Sequence, residues 1–191
     1  MSAPAVGHLD ARTEAYVEDV LDAIEAHVPI VEAYLIGSGA VGGFDPRTSD
    51  VDLVVVITRT LGSDRRSVVD DVFGIECPVR DLQLVLYVEG TEPPDFELNV
   101  NQGEERPKED AFWFVLDAAL AQERAVPLRN GLPWAQLFLP VPEERVREAA
   151  RESLAWSARQ AVGDEFVRLN ATRAQHYLAH GEWISKAEAQ R

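Results

Sequence analysis

The sequence predicts a mixed α/β fold, in which an N-terminal domain with a small mixed sheet is followed by a helical-bundle domain. Three observations lead to this prediction. Residues 51–58 form a nearly continuous, β-branched apolar run that is typical of a buried strand. Residues 13–28 repeat apolar side chains at helical spacing behind an acidic face. After residue 103 the longer patterns are helical, so the predicted domains are residues 1–103 and 104–191.

The N-terminal domain is predicted to alternate helices and strands. A stretch rich in Gly, Ser and Pro separates its first two strands and is predicted to be a turn or loop. The predicted elements are, in order, helix 13–28, strand 31–37, loop 37–50, strand 51–58, helix 62–73, and strands 81–89 and 96–101. This order favours a small sheet with flanking helices.

The C-terminal part is predicted to be helical after a polar linker at residues 102–110. Its helices are predicted at residues 111–124, 143–160, 164–180 and from 185 onwards. Ser185 suits the N-cap of the last of these, because its side-chain oxygen can accept a hydrogen bond from a free backbone N–H.

Composition excludes several classes of protein. The 191 residues are 46% hydrophobic and 27% charged, which is an ordinary globular mixture. No apolar run reaches the length of roughly 18–20 residues that a membrane span needs, and the N-terminus does not resemble a secretory signal. Cys77 is the only cysteine, so an intrachain disulfide is excluded and a reducing, cytoplasmic location is expected. The net charge of −15 argues against bulk nucleic-acid binding and favours cationic partners. Nothing in the sequence indicates an oligomeric state.

The most informative stretch begins with Gly37 and Ser38, which are followed after eleven residues by Asp50 and Asp52. Residues i and i+2 of a strand share a face about 6.5–7 Å apart. Two carboxylates there repel each other, and Mg²⁺ would relieve the repulsion while also binding substrate phosphates. Gly37 permits a close backbone approach, and Ser38 offers a hydroxyl and an N–H to a phosphate. The alternative is a solvated acid pair at a strand edge beside an ordinary turn.

This motif resembles that of the DNA-polymerase-beta-like nucleotidyltransferases, in which Gly-Ser precedes an Asp-x-Asp pair that opens a strand. In that superfamily the aspartates bind Mg²⁺ carrying a nucleoside triphosphate, and a third carboxylate on a later strand completes the site. Residues 81–88, 141–156 and 163–189 look like the bacterial aminoglycoside adenylyltransferases that modify streptomycin and spectinomycin. The resemblance runs from about residue 13 to the end, although the family's helical domain is longer.

The resemblance implies that ATP binds between the two domains. Ser38 and Ser49 match the family's phosphate-contacting serines, and Arg173 and Lys186 match its helical-domain cations. Such cations would offset the charge of the triphosphate and of the leaving pyrophosphate. The resemblance also implies two contacts to the acceptor. Trp156 matches a tryptophan that stacks on the antibiotic, and Asp164 matches an acid of the antibiotic pocket.

The sequence departs from the family at the third carboxylate, where Gln83 replaces a glutamate. An amide cannot act as a general base and is a poor Mg²⁺ ligand. Asp81 lies two residues earlier on the same strand face and is the candidate substitute, with Glu97 as a secondary candidate. Two further residues of the family have no match in this sequence. They are an aromatic residue near the linker and the aspartate that follows the stacking tryptophan.

The predicted function is therefore transfer of AMP from Mg-ATP to a hydroxyl of a small acceptor. Asp50, Asp52 and Asp81 are the predicted catalytic residues, and an aminoglycoside-type antibiotic is one candidate acceptor. Two alternatives stay open at this point. One is a catalytically weak or silent nucleotidyltransferase-like domain that binds nucleotide or a partner, and the other is a toxin–antitoxin type adenylyltransferase of protein or RNA.

Overall fold

The structure is a computed structural model that describes residues 7–101, 103–106, 110–160 and 164–190. It has the mixed α/β architecture that the sequence predicts, with a six-stranded mixed sheet, helices on both of its faces and a cluster of helices in the C-terminal part. Among the described helices, none combines the length and the apolar character that a membrane crossing requires.

The strands and helices are numbered here in chain order. The strands are β1 Ile30–Ile36, β2 Val51–Ile57, β3 Leu82–Val88, β4 Leu98–Asn101, β5 Glu104–Glu105 and β6 Val126–Pro127. The α-helices are α1 Ala11–Glu25, α2 Gly37–Val41, α3 Arg65–Gly74, α4 Phe112–Arg124, α5 Trp134–Leu137, α6 Glu143–Ser157, α7 Glu165–His180 and α8 Lys186–Ala189. A short 3₁₀ turn at Gly62–Asp64 leads into α3.

The sheet has the strand order β5-β4-β3-β2-β1-β6. Strands β2 and β3 are parallel and are joined through α3, whereas the other neighbouring strands are antiparallel. In this register Asp52 pairs with Ile36 on one side and with Gln83 on the other. The topology therefore brings the position of the expected third carboxylate beside the aspartate motif.

The two faces of the sheet pack against different helices. One face, which includes Leu35, Leu53 and Leu84, packs with α1 and α3 in the larger apolar core. The other face carries Tyr34, Ile36, Val54, Val56 and Tyr87 and is covered by residues of α4 and α5. Because side chains alternate along a strand, Asp52 and Gln83 lie on this second face.

Helix α4 connects the sheet to the C-terminal helices. On one side it contacts β1 and α2, and on the other it packs against α6, which in turn packs on α7. The buried residues of this cluster include Phe112, Ala149, Ala150 and Tyr177.

Several short elements differ from the sequence prediction. Residues 37–41 form the helix α2 instead of a loop, and neither β6 nor α5 was predicted, because two to five residues are too few to show a periodicity. Strands β5 and β6 come from beyond residue 103. The sheet therefore includes residues from both sides of the predicted domain boundary between residues 103 and 104.

A buried glutamate fixes the segment that follows β6. Glu32 of β1 is fully buried, and its carboxylate accepts hydrogen bonds from four backbone N–H groups. The donors are Ala33 at 2.9 Å, Arg129 at 2.8 Å, Asn130 at 3.1 Å and Leu132 at 2.7 Å. Charge-assisted bonds of this kind compensate for burying a carboxylate. They hold residues 129–132 against β1.

Candidate active site

Gly37 lies directly against the side chain of Asp52. Its φ of 62° is in the left-handed region, which favours glycine. A Cβ atom at this position would lie 2.0 Å from Oδ2 of Asp52, well inside van der Waals contact. The group that lies close to the Gly37 backbone is thus the carboxylate of Asp52, and a phosphate at Gly37 stays a prediction. Ser38 follows in α2 and is half-buried.

Asp50 is buried at the start of β2 and is held by two side chains from the neighbouring strand segment. Arg80 Nε donates to its Oδ1 at 2.6 Å, and Arg80 Nη2 donates to its Oδ2. Gln83 Nε2 donates to the same Oδ2 at 3.2 Å. The predicted counter-ion of this acid pair was a metal ion alone, whereas Arg80, which was not predicted, supplies a positive charge from within the chain.

Arg80 lies among three aspartates. The pKa of its guanidinium is raised, first by the hydrogen bond to Asp50 and then by the negative charges of Asp50, Asp81 and Asp52, while partial burial opposes the shift. Asp81 is half-buried just before β3, and its backbone C=O accepts a hydrogen bond from Val51 N at 2.9 Å. The structure therefore brings Asp50, Asp52, Asp81 and Gln83 to one end of the β2–β3 pair.

Asn101 extends this polar group across a further strand. Leu84 pairs with Val100 in the antiparallel β3–β4 ladder, so the next step of the register puts Asn101 opposite Gln83. The Oδ1 atom of Asn101 is buried and accepts no hydrogen bond within the part of the chain that the structure describes. The alternation of polar residues in the segment 96–101 was the sequence signal that could have identified it.

The oxygen donors at this end of the sheet suit a magnesium ion. Mg²⁺ prefers oxygen ligands, which the carboxylates of Asp50 and Asp52 supply, and the amides of Gln83 and Asn101 lie beside them as weaker donors. The Asn101 oxygen accepts no hydrogen bond from the described residues and so leaves acceptor capacity at the site. Among the described residues, no group of three or more His, Cys, Asp or Glu side chains is arranged as metal ligands. Gln83 stands at the position where a third acid was expected.

Ser49 shapes the loop that delivers Asp50 to β2. Its backbone N–H donates to the carbonyl of Asp45 at 2.7 Å, and its hydroxyl accepts from Asp45 N at 3.1 Å. The side chain thus closes a turn within residues 45–49. A phosphate contact by Ser49 stays a prediction.

Arg173 of α7 lies inside the helical part of the protein. Its Nε donates to the carbonyl of Ile184 at 2.9 Å, and its guanidinium lies 5.8 Å from the centre of the Trp183 ring. Burial lowers the pKa of Arg173, and the charge of Asp117 opposes this shift. Asp117 also contributes to raising the pKa of Tyr87 in the sheet, after burial. Arg173 and Asp117 line the same cavity, which lies beside α4, the helix that covers the sheet.

The other predicted cation, Lys186, begins α8, and its side chain lies outside the described residues. Ser185 is the N-cap of this helix, as predicted. Its hydroxyl accepts from Glu188 N at 3.2 Å, and the Glu188 carboxylate accepts from Ser185 N at 2.8 Å.

The two predicted acceptor contacts lie in the helical part and also have structural contacts. The ring of Trp156 meets that of Trp113 edge-on at 5.4 Å. Asp164 is the N-cap of α7 and accepts from Phe166 N at 2.9 Å. Their binding of an acceptor stays a prediction.

The secondary candidate for the third carboxylate lies elsewhere. Glu97 accepts from Leu61 N at 3.1 Å and pairs with Arg65 at 3.6 Å. Its backbone N–H donates to Leu86, near the opposite end of β3 from Gln83.

Replacing Gly37 with alanine is expected to displace the Asp52 carboxylate and to abolish Mg-ATP binding. It should also lower the free energy of unfolding by about 1–3 kcal/mol, because the new Cβ adds a clash to an unfavourable φ. Thermal denaturation and isothermal titration calorimetry measure the two effects.

Gly90→Ala is the matched control, since Gly90 has a φ of 82° but open space around its Cβ position. It should lose stability and keep nucleotide binding. Unchanged binding by Gly37→Ala would contradict the prediction.

Comparison with known proteins shows a likeness to solved structures. No protein-family model matches this sequence, and no curated protein matches it. A solved structure, that of the spectinomycin adenyltransferase AAD(9) from Enterococcus faecialis with ATP and spectinomycin, superposes with a TM-score of 0.75. The match covers 95% of this chain and 81% of that chain at 17% sequence identity. The likeness therefore shows that this chain has a nucleotidyltransferase-like fold.

Proposed function

We propose that this protein is a nucleotidyltransferase that transfers AMP from Mg-ATP to a hydroxyl group of a small acceptor. The observation that carries the proposal is the assembly at one end of β2, where the Asp52 carboxylate lies against Gly37 and buried Asp50 lies next to Gln83. The shared fold supports it, because the similar enzyme was solved with ATP and spectinomycin.

In the proposed reaction, the acceptor oxygen attacks the α-phosphorus of ATP and the bond to the β-phosphate breaks, so pyrophosphate leaves. Asp50 and Asp52 would hold Mg²⁺, which when bound offsets the charge of the triphosphate. Ser38 and Ser49 would donate hydrogen bonds to phosphate oxygens. Asp81 would take the proton of the acceptor hydroxyl, since the amide of Gln83 cannot.

Two cations of the helical part complete the proposed nucleotide site. Arg173 and Lys186 would bind the triphosphate and the leaving pyrophosphate, where fixed positive charge lowers the barrier. Arg173 is already oriented by its bond to Ile184, so little side-chain freedom is lost on binding.

The proposed acceptor is a cationic small molecule of the aminoglycoside type, which would make the protein an antibiotic-resistance enzyme of the cytoplasm. The net charge of −15 suits a cationic acceptor, and the similar solved enzyme binds spectinomycin. Trp156 and Asp164 are the residues proposed to contact it.

A second candidate function is a catalytically silent domain that binds nucleotide. It is favoured by Gln83 at the third-acid position and by the ion pair that Arg80 makes with Asp50. Turnover separates the two candidates, because a silent domain would bind ATP without releasing pyrophosphate.

The test is pyrophosphate release from ATP and Mg²⁺ with a panel of acceptors that includes spectinomycin and streptomycin. We expect release that depends on one acceptor, with the adenylylated product identified by mass spectrometry. Reactions without acceptor or without Mg²⁺ are the controls. ATP binding without release on any acceptor would favour the silent domain, and the absence of ATP binding would refute both candidates.

Replacing Gln83 with glutamate is expected to raise the rate of transfer by about 10²-fold or more, the contribution of a general base. Glutamate at this position would face the acceptor with a carboxylate, and the positive charge of the bound cation would offset its repulsion with Asp50. Initial rates of pyrophosphate release measure the effect. Gln136→Glu, at an exposed position of α5, is the matched control. Asp81→Asn should lower the wild-type rate, and equal rates in all variants would exclude both positions as the base.

A further inference from the structure

We propose that the Arg80 guanidinium is the resident counter-ion of Asp50 and competes with a divalent cation for that carboxylate. Arg80 is then a positioning residue, which holds Asp50 in place until a cation binds and must move away when it does. The inference deepens the proposed function and rests on it, since the proposed reaction needs a cation at Asp50 and Asp52.

The geometry of the ion pair leaves little of Asp50 for a cation. Nε and Nη2 of Arg80 donate to Oδ1 and Oδ2 respectively, which is the two-pronged arrangement that arginine forms with carboxylates. Gln83 donates a further hydrogen bond to Oδ2. Each carboxylate oxygen of Asp50 therefore already accepts at least one hydrogen bond from a neighbouring side chain.

The charges around Arg80 make the competition strong. The guanidinium lies within electrostatic range of Asp50, Asp52 and Asp81. A divalent cation on the same carboxylates would be only a few ångströms from the guanidinium charge, and water screens the repulsion only in part because the Asp50 carboxylate is buried. The cation and the guanidinium are therefore alternatives at Asp50.

The structure also allows Arg80 to leave. Its side chain is 53% exposed, whereas that of Asp50 is 7% exposed. The backbone beside it is fixed by the hydrogen bond from Val51 N to the carbonyl of Asp81. The side chain can thus rotate into solvent while Asp50 and the two strands keep their places.

The experiment measures the affinity of the nucleotide-free protein for Mn²⁺ alone, from the electron paramagnetic resonance signal of the free ion. We expect Arg80→Gln to bind Mn²⁺ about tenfold more tightly than the wild type, within the usual range for coupling between two ligands. Arg80→Lys should fall between them, because lysine keeps the charge without the two-pronged contact. Arg66→Gln is the matched control, since Arg66 makes an exposed ion pair with Asp70 on α3, and its affinity should equal that of the wild type.

A second measurement distinguishes competition from simple loss of structure. Without Mn²⁺, Arg80→Gln should melt at a lower temperature than the wild type, because Asp50 loses its partner. With saturating Mn²⁺ its melting temperature should rise by more than that of the wild type, since tighter binding stabilises more. Arg80→Lys provides the affinity comparison if Arg80→Gln does not fold.

Equal or weaker Mn²⁺ affinity in both Arg80 variants would overturn the proposal, and so would the absence of Mn²⁺ binding in every protein tested. The mixture contains neither ATP nor acceptor. If Arg80 competes with Mn²⁺ but no nucleotidyl transfer occurs, the proposed function is refuted and this inference stands. If transfer occurs but Arg80 does not compete with Mn²⁺, this inference is refuted and the proposed function stands.

Discussion

Asp50→Asn and Asp52→Asn are each expected to abolish Mg²⁺-dependent binding of ATP while the protein stays folded. Each substitution removes one of the two carboxylates that would hold the cation and leaves the shape of the side chain almost unchanged. Loss of an outer-shell partner already lowers metal affinity by about 10–100-fold, so loss of a direct ligand should exceed about 100-fold. Isothermal titration calorimetry with Mg-ATP measures this, and circular dichroism verifies the fold.

Asp50→Asn should also be less stable than the wild type in the absence of nucleotide. Asp50→Asn breaks the ion pair with Arg80 and should cost about 1–2 kcal/mol, since one partner is buried and the other is half-exposed. Asp70→Asn, in the exposed pair with Arg66, is the matched control and should leave both stability and ATP binding almost unchanged. Mg-ATP binding that survives in both active-site variants would refute the metal assignment and the proposed function with it.

Glu32→Ala is expected to lower the free energy of unfolding by about 3–5 kcal/mol, a large part of the total for a domain of this size. The substitution removes the acceptor of four backbone N–H groups at once. It also opens a cavity in a fully buried position of β1. Urea denaturation followed by circular dichroism measures the loss.

Two further substitutions separate the contribution of Glu32 from general effects of charge. Glu32→Gln should be nearly as destabilising, because its NH₂ group would face backbone donors instead of accepting from them. Asp22→Ala breaks an ion pair in which the Asp22 carboxylate lies 2.8 Å from Arg129 and is 73% exposed. It should therefore cost less than about 1 kcal/mol. A similar loss in Asp22→Ala and Glu32→Ala would show that the buried hydrogen bonds are not the cause.

The longer elements could be predicted from the sequence because each has its own periodicity. The β-branched run gave β2, and the helical spacing gave α1, α6 and α7 within a few residues of their ends. Strand β6 and helix α5 could not be predicted in this way, because each is too short to repeat a pattern. They form because β1 and the apolar face of the sheet hold them in place.

The candidate site was predictable where its residues lie close together in the sequence. Gly37, Ser38, Asp50 and Asp52 belong to one motif, and Gly37 lies against the Asp52 side chain in the structure. Arg80 was missed because it meets Asp50 only through the parallel register of β2 and β3. In that register Val51 pairs with Leu82, so the residues that precede β3, Arg80 among them, lie beside Asp50.

The origin of β6 determines when the sheet can be completed on the ribosome. Strands β1 to β4 are synthesised first, but β6 and α5 come from residues 126–137. Until that segment has left the exit tunnel, Tyr34, Val54 and Tyr87 lack the cover that Trp134 and Phe138 provide. The nascent sheet therefore carries an exposed apolar face and an unpaired β1 edge, which is the kind of surface that chaperones bind and that aggregates in their absence.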